Sequence, residues 1–329
     1  VASAPGVLAP PAAAGLGRRR GALDRLGDHG LHALALAAAL ASVAIAAGLA
    51  FKVFSEANEA ISTFGLGFLT TGDWDPVHNR FGAAQFIYGT AVSSLGALLI
   101  ATPLSVAIAL FLTELAPRGA RTAVGTLVEL LAGIPSVILG LWGILVLGPA
   151  LQGTIEPALH AALGWLPVAG GLFGSDYSLV GLFPAIVVLT IMTVPIVSSL
   201  TREIFATVPA AAKEGALALG ATRWEMIRTV VLPHSRAGIV AAVILGLGRA
   251  VGEAIAVTQV IGGTAGINAS IFAPADTLAS RIAGQYQGAV SDIQASSIAY
   301  LAAILLVLAL AFNAAARVIV RSLEGRTEA

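Results

Sequence analysis

Leu179–Leu200 reads LVGLFPAIVVLTIMTVPIVSSL, 22 residues without a single charge. As a helix rising 1.5 Å per residue this stretch is about 33 Å long, enough to cross the ~30 Å hydrocarbon layer of a bilayer. Helix is the form expected, because a segment in lipid must satisfy its own backbone hydrogen bonds. Five further apolar runs flank it, at about Leu31–Phe54, Phe86–Leu112, Thr122–Leu147, Ala237–Ile261 and Ser296–Val320. None alternates in the manner of a membrane β-strand. The sequence therefore predicts an all-α integral membrane protein with six transmembrane helices. Pro103, Pro135 and Pro195 fall inside these runs, a pattern tolerated where neighbouring helices or a lined cavity re-satisfy the freed backbone.

Composition agrees: 57% of the 329 residues are hydrophobic and only 11% are charged, against roughly 25% charged in soluble domains. The net charge is zero, so no attraction to nucleic acid is implied. The absence of cysteine removes disulfides and thiol chemistry. The five histidines are scattered and read as solvated side chains rather than a metal centre. Residues 1–17 are Ala/Pro/Gly-rich, and residues 1–30 are expected to be a disordered cytoplasmic tail, 31–321 the six-helix membrane domain and 322–329 a short cytoplasmic tail. The first apolar run is too long for a signal peptide's core and reads as a retained anchor helix. The segment Ala150–Ser178, with its glycines and prolines, reads as an irregular external loop.

Lys and Arg set the orientation. With the N-terminus inside, the inner segments hold fourteen of the eighteen, the outer loops only Arg80 and Arg281, and the spans Lys52 and Arg249. Both termini are thus expected in the cytoplasm of a multi-pass cell (inner) membrane protein.

The longest inner segment, about 201–236, contains Lys213-Glu214-Gly215-Ala216-Leu217-Ala218-Leu219-Gly220-Ala221-Thr222, and then Leu232-Pro233. Small residues permit close helix approach, Gly220 permits a tight turn, and Glu214 offers an acceptor to a partner's basic group. This pattern resembles the "EAA" signature of ABC importer permeases. The resemblance implies a helix–turn–helix that docks on an ATPase, with Glu214, Gly215, Ala216, Gly220, Leu232 and Pro233 as the coupling residues. The chain's two lysines, Lys52 and Lys213, lie in no Gly-Lys-Ser/Thr phosphate loop, so ATP is expected to be used by a partner subunit. No cofactor is expected on this chain, and no enzymatic activity of its own.

Leu131-Ala132-Gly133-Ile134-Pro135-Ser136-Val137, Gly140-Leu141-Trp142-Gly143 and Gly248-Arg249-Ala250-Val251-Gly252-Glu253 are similar to signatures of the phosphate-importer permeases. Trp74-Asp75-Pro76, Phe81-Gly82 and Phe86-Ile87-Tyr88-Gly89-Thr90 resemble the PstC type rather than its PstA-type partner. The similarity runs from about Phe64 to Arg321 and implies the type I ABC importer permease architecture. One departure is Glu253-Ala254-Ile255-Ala256, where Glu-Thr-Met-Ala is expected, so position 254 offers no hydroxyl to a substrate.

Arg249 and Glu253 stand out without any family. Counted from Ala237, Arg249 lies about 18 Å along its helix, where a charge costs ~2.5–3.5 kcal/mol even on translocon scales. Glu253, four residues on, is expected one turn further on the same face. The pair reads either as a self-neutralising ion pair or as an oxyanion pathway, with Arg249 meeting the anion and Glu253 limiting how tightly it is held. Glu129 is expected inside the third span, to pair with a basic group of another helix or to sit near the interface. Ser136, with Ser93 and Ser94, offers hydroxyls to an anion or to a neighbouring backbone.

The resemblance implies the permease subunit of an ATP-driven inorganic phosphate importer, working with a second permease of the PstA type. Two copies of a cytoplasmic ATPase and an extracytoplasmic phosphate-binding protein complete the set, with membrane lipid as surroundings. Import of another oxyanion (sulfate, molybdate or phosphonate) is the alternative within the class. A secondary transporter would more often show inverted repeats, which are not evident here.

Overall fold

The computed structural model describes residues 22–167 and 170–324. Arg18, Arg19, Arg20 and the last five residues of the two expected tails lie outside the described residues. The chain divides into a unit ending at Lys52 and a second from Val53 onward. The first unit is helical from Ala22, inside the stretch expected to be disordered. Its large apolar side chains from Leu31 to Leu49 are exposed, as a lipid-facing helix requires.

The first helix, α1, is Ala22–Phe64. A two-residue hairpin follows, β1 (Trp74–Asp75) with β2 (Arg80–Phe81), then α2 (Ala84–Leu110) and α3 (Arg118–Ala132). Next come α4 (Ser136–Leu163), α5 (Leu182–Ala206), α6 (Ala210–Ala218) and α7 (Arg223–Gly252). The chain closes with α8 (Ile255–Val260), α9 (Leu278–Gln285) and α10 (Asp292–Glu324). Six of these helices are long and apolar enough to cross a membrane, matching the number expected.

Helix α5 is the most enclosed span, and small residues let its neighbours approach it. A Cβ at Gly96 of α2 would meet Ile186, and one at Gly246 of α7 would meet Thr193 and Val197. Gly143 of α4 lies against Val188, and Gly238 of α7 against Ile204. Such contacts are the normal glue of membrane helices, since lipid supplies no hydrophobic drive between them. Three buried clusters result: a central one around Val188, Leu189 and Val260, one around Phe86, Leu278 and Leu301, and one around Phe205, Ile227 and Val231.

The third span is displaced from expectation. Pro135 disfavours helical backbone in the residue before it, so the chain breaks at Gly133–Pro135. The residues before the break form the separate amphipathic helix α3, and the span itself starts at Ser136. It then runs through much of the segment expected to be an irregular loop, to Leu163. Two π-helical turns, Gly143–Leu147 and Leu151–Ile155, widen the helix ahead of Pro157, whose missing N–H would leave an α-helical carbonyl unpaired.

A polar stripe at i, i+4 and i+8 then ties α4 to the returning chain. Gln152 Nε2 donates to the Tyr177 carbonyl at 3.3 Å, Glu156 Oε2 accepts the Ser178 N–H at 3.1 Å, and His160 Nδ1 lies 2.6 Å from the Phe173 carbonyl.

A buried ion pair organises the connection between α8 and α10. Arg281 Nε lies 2.7 Å from Asp276 Oδ2, with both side chains almost fully enclosed. The guanidinium also stands 4.7 Å from the Phe86 ring centre and 5.7 Å from that of Trp74, within cation–π range. Its Nη2 donates to the Gly263 carbonyl at 3.1 Å, and Trp74 Nε1 donates to Gln285 at 3.1 Å. Burial pushes the Asp276 carboxyl above its ordinary range despite the Arg281 charge beside it, and burial pulls Arg281 down. One guanidinium thus joins α2, the hairpin and α9. Replacing it as Arg281→Leu strands a buried carboxylate, at a cost of about 3–5 kcal/mol. The expected outcome is a clearly lower thermal midpoint of the purified protein, with much of the loss regained in the double variant Asp276→Asn/Arg281→Leu.

Candidate functional site

Arg249 lies in the last turn of α7. Gly246, one turn earlier, packs on Thr193 and Val197 near the middle of α5, which places Arg249 close to mid-depth in the helix bundle. Its side chain is exposed, and a Cβ at either Gly248 or Gly252 would meet nothing within 4 Å. The guanidinium therefore borders open space.

Glu253 does not continue the helix, contrary to expectation. The backbone turns extended there, at φ −73° and ψ 114°, and α8 begins only at Ile255. Arg249 and Glu253 consequently do not share a helical face, and among the described residues no ion pair joins them. The Glu253 carboxylate instead accepts the Ala256 N–H at 3.3 Å, supplying one of the acceptors that a new helix start requires. A side-chain acceptor at position 253 directly after Gly252 was the available signal for this break; the apolar run from Ala237 to Ile261 concealed it.

Two interrupted helices meet beside this point. A Cβ at Gly140 of α4 would lie 2.9 Å from the Ala256 Cα, and one at Gly143 would lie 2.7 Å from Val260. Gln259 Nε2 also donates to the Val137 carbonyl at 3.4 Å. The break before Ser136 and the break at Glu253 thus open the two helices that pack together. Ser136 is half-buried at the first position of α4. Ser93 and Ser94, by contrast, donate to carbonyls of their own helix.

Glu129 lies on α3, before the third span rather than within it. It is exposed, and its Oε1 accepts from Arg202 Nη2 of α5 at 2.9 Å. This carboxylate ties two helices and stands apart from the α4–α8 contact.

The inner segment builds a protruding turn. Helix α6 ends where Gly220 adopts φ +89°, a left-handed conformation that glycine alone enters without penalty. The Ala221 N–H bonds back to the Ala216 carbonyl at 3.2 Å. Thr222 and Glu225 then cap one another reciprocally: Thr222 Oγ1 accepts the Glu225 N–H at 3.2 Å, and Glu225 Oε2 accepts the Thr222 N–H at 2.7 Å. Glu214 and Gly215 are exposed, while Ala216 is half-buried against the cluster around Phe205.

Leu219 is 92% exposed and Trp224 63%, so the turn presents apolar surface next to the exposed Glu214 carboxylate. Lys213 points the other way, its Nζ 2.5 Å from Glu114 Oε1, and pins the turn to the end of α2. Leu232 and Pro233 lie just after the π-helical turn Ile227–Val231, where the proline's missing N–H is accommodated. The Lys213–Glu114 tie, 99 residues apart in sequence, had no local signal.

Residues 101–327 match the model of the family described as "Binding-protein-dependent transport system inner membrane component". The phosphate transport system permease protein PstC of Mesorhizobium japonicum is 44% identical over 92% of this chain and 93% of its own length. The PstC protein of Xylella fastidiosa is 42% identical over 88% of this chain and 90% of its own. Among solved structures, a bacterial alginate ABC transporter in complex with an alginate pentasaccharide-bound periplasmic protein is similar in fold. Its TM-score is 0.57 at 22% identity, covering 92% of this chain and 98% of that one. The six spans thus follow the type I ABC importer permease fold, and the chain belongs to the family of binding-protein-dependent transport system inner membrane components, alongside the PstC permeases.

Proposed function

We propose that this permease forms one half of a phosphate passage across the cell membrane, with Arg249 as the fixed positive charge that the anion meets. The observation that carries this reading is an exposed guanidinium at mid-depth, beside open space, with no ion-pair partner among the described residues. Arginine stays ionised at any accessible pH, and in a low-dielectric passage its field is a standing attraction for an oxyanion. The 44% identity to a protein named as a phosphate transport permease supports phosphate as the cargo. Ser136 and Glu253 are the polar groups at the adjoining helix breaks.

A second permease of the PstA type completes the passage, and an extracytoplasmic phosphate-binding protein delivers to the hairpin side. Two ATPase subunits dock on the Glu214–Trp224 turn from the cytoplasm, where both termini also lie.

Arg249→Gln is expected to abolish uptake of labelled phosphate while leaving protein level and ATPase association intact. Because Glu253 caps a helix rather than pairing with Arg249, the double variant Arg249→Gln/Glu253→Gln should stay as inactive as the single one. Recovery of transport would assign the two residues to architecture. Uptake of labelled sulfate by the wild type, run in parallel, separates phosphate from other oxyanions.

Gly220→Val forces a β-branched residue into left-handed backbone, at roughly 1–2 kcal/mol. The expected outcome is weakened co-purification of the ATPase with normal membrane insertion, and unchanged co-purification would remove the docking assignment. Reporter fusions after Gly72, Gly170 and Gly266 should read outside, and those after Pro117, Ala221 and Arg321 inside. An inside signal at Gly170 would overturn the orientation.

A further inference from the structure

A groove of about 370 Å³ runs between α7 and the C-terminal part of α10. Its walls are Ile244 and Leu245 of α7 and Ala316 and Val320 of α10, with Asn313, whose amide donates to the Ala309 carbonyl, between them and Arg317 and Arg321 along one side. The uncharged run of α10 extends from Ile293 to Ala316, 24 residues and long enough to cross the hydrocarbon layer, so Arg317 and Arg321 stand at its edge. They are four residues apart, hence on one helical face and about 6 Å apart along the axis. Both are exposed, and among the described residues neither makes an ion pair or a side-chain hydrogen bond.

Two guanidiniums side by side repel each other unless an anion lies between them. An apolar trough leads away from them into the membrane, where Leu245 is 58% exposed.

We propose that this groove is a binding site for an anionic phospholipid. The lipid phosphate lies between Arg317 and Arg321, which present planar donor forks matched to phosphate oxygens, and the first part of an acyl chain follows the trough past Leu245 and Ala316. Charge complementarity selects the occupant. A headgroup with net negative charge gains from both arginines, whereas a zwitterionic headgroup brings its own ammonium into the same field. Free phosphate has the same oxyanion chemistry but nothing to fill the apolar walls. The site is independent of what the transporter carries and of which side of the membrane the α10 terminus faces.

The test uses the complete transporter, purified in detergent and titrated with phosphatidylglycerol or phosphatidylcholine, with bound lipid counted by native mass spectrometry. Each basic residue near a lipid surface is worth about fivefold in affinity, so the pair is worth roughly thirtyfold. Wild type should retain phosphatidylglycerol in preference to phosphatidylcholine, and Arg317→Gln/Arg321→Gln should lose about that factor. Arg80→Gln, an exposed arginine of the hairpin, should lose nothing, and excess inorganic phosphate should not displace the lipid. Equal retention by the double variant and wild type would overturn the site. Displacement by inorganic phosphate would reassign it as an anion subsite, and absence of any lipid from the assembled complex would show that another subunit covers the groove.

Discussion

Hydrocarbon gives two helices no reason to prefer each other over lipid, so the close approach of backbones around Leu182–Ala206 carries the fold. Gly96, Gly238 and Gly246 each place a neighbouring helix where a side chain would collide with α5, and Gly143 brings α4 into tight contact with it. Dispersion between atoms at contact is small per pair but is summed over the full length of a helix. The central helix is therefore the reference against which the depth of every other residue is fixed. Arg249 owes its mid-depth position to Gly246 against Thr193 and Val197, rather than to its distance from a helix end.

Polar groups impose the second constraint. A break in a span frees donors and acceptors that lipid cannot satisfy, and neighbouring side chains meet part of that demand. Glu253 accepts the N–H of Ala256, and Ser105 of α2 ties that helix to α5 by donating to the Val194 carbonyl at 3.2 Å. Thr222 and Glu225 close the start of α7. Arg281 extends the same principle to charge, since it is enclosed only because Asp276, the Gly263 carbonyl and two aromatic faces surround it.

The number of spans and the turn at Gly220 were legible in the sequence, because both rest on local rules: an apolar run has a length, and a glycine between two short helices permits left-handed backbone. Helix ends were less legible. The run Thr122–Leu147 is apolar enough to cross a membrane, yet Pro135 splits it, and a proline within a membrane helix does not announce whether it kinks or stops the chain. Glycines and prolines in 150–178 suggested a loop, whereas the widened π turns absorb Pro157 and the Gln152–Glu156–His160 stripe anchors the helix. Arg249 was legible as a charge in an apolar run, but the stop at Gly252 was not, since Ala254 and Ile255 continue the apolar composition. Ties such as Lys213–Glu114 and Arg202–Glu129 join residues far apart in sequence, and only the folded chain selects which charges meet.

The end of α7 at Gly252 bears on how firmly the passage can grip its cargo. The last carbonyls of a helix have no intrahelical partners and together carry roughly half a negative charge. Arg249, in that last turn, neutralises part of this field before any ion arrives. In the passage proposed above, an incoming anion would compete with the helix terminus for this one guanidinium, which would shorten its stay. Transport favours such a balance, because an attraction strong enough to strip water from the ion, if unopposed, would also keep it from leaving. The helix that delivers the charge to mid-depth also limits its strength, and on the proposed role of Arg249 the passage would act as a shallow stepping stone and not as a trap.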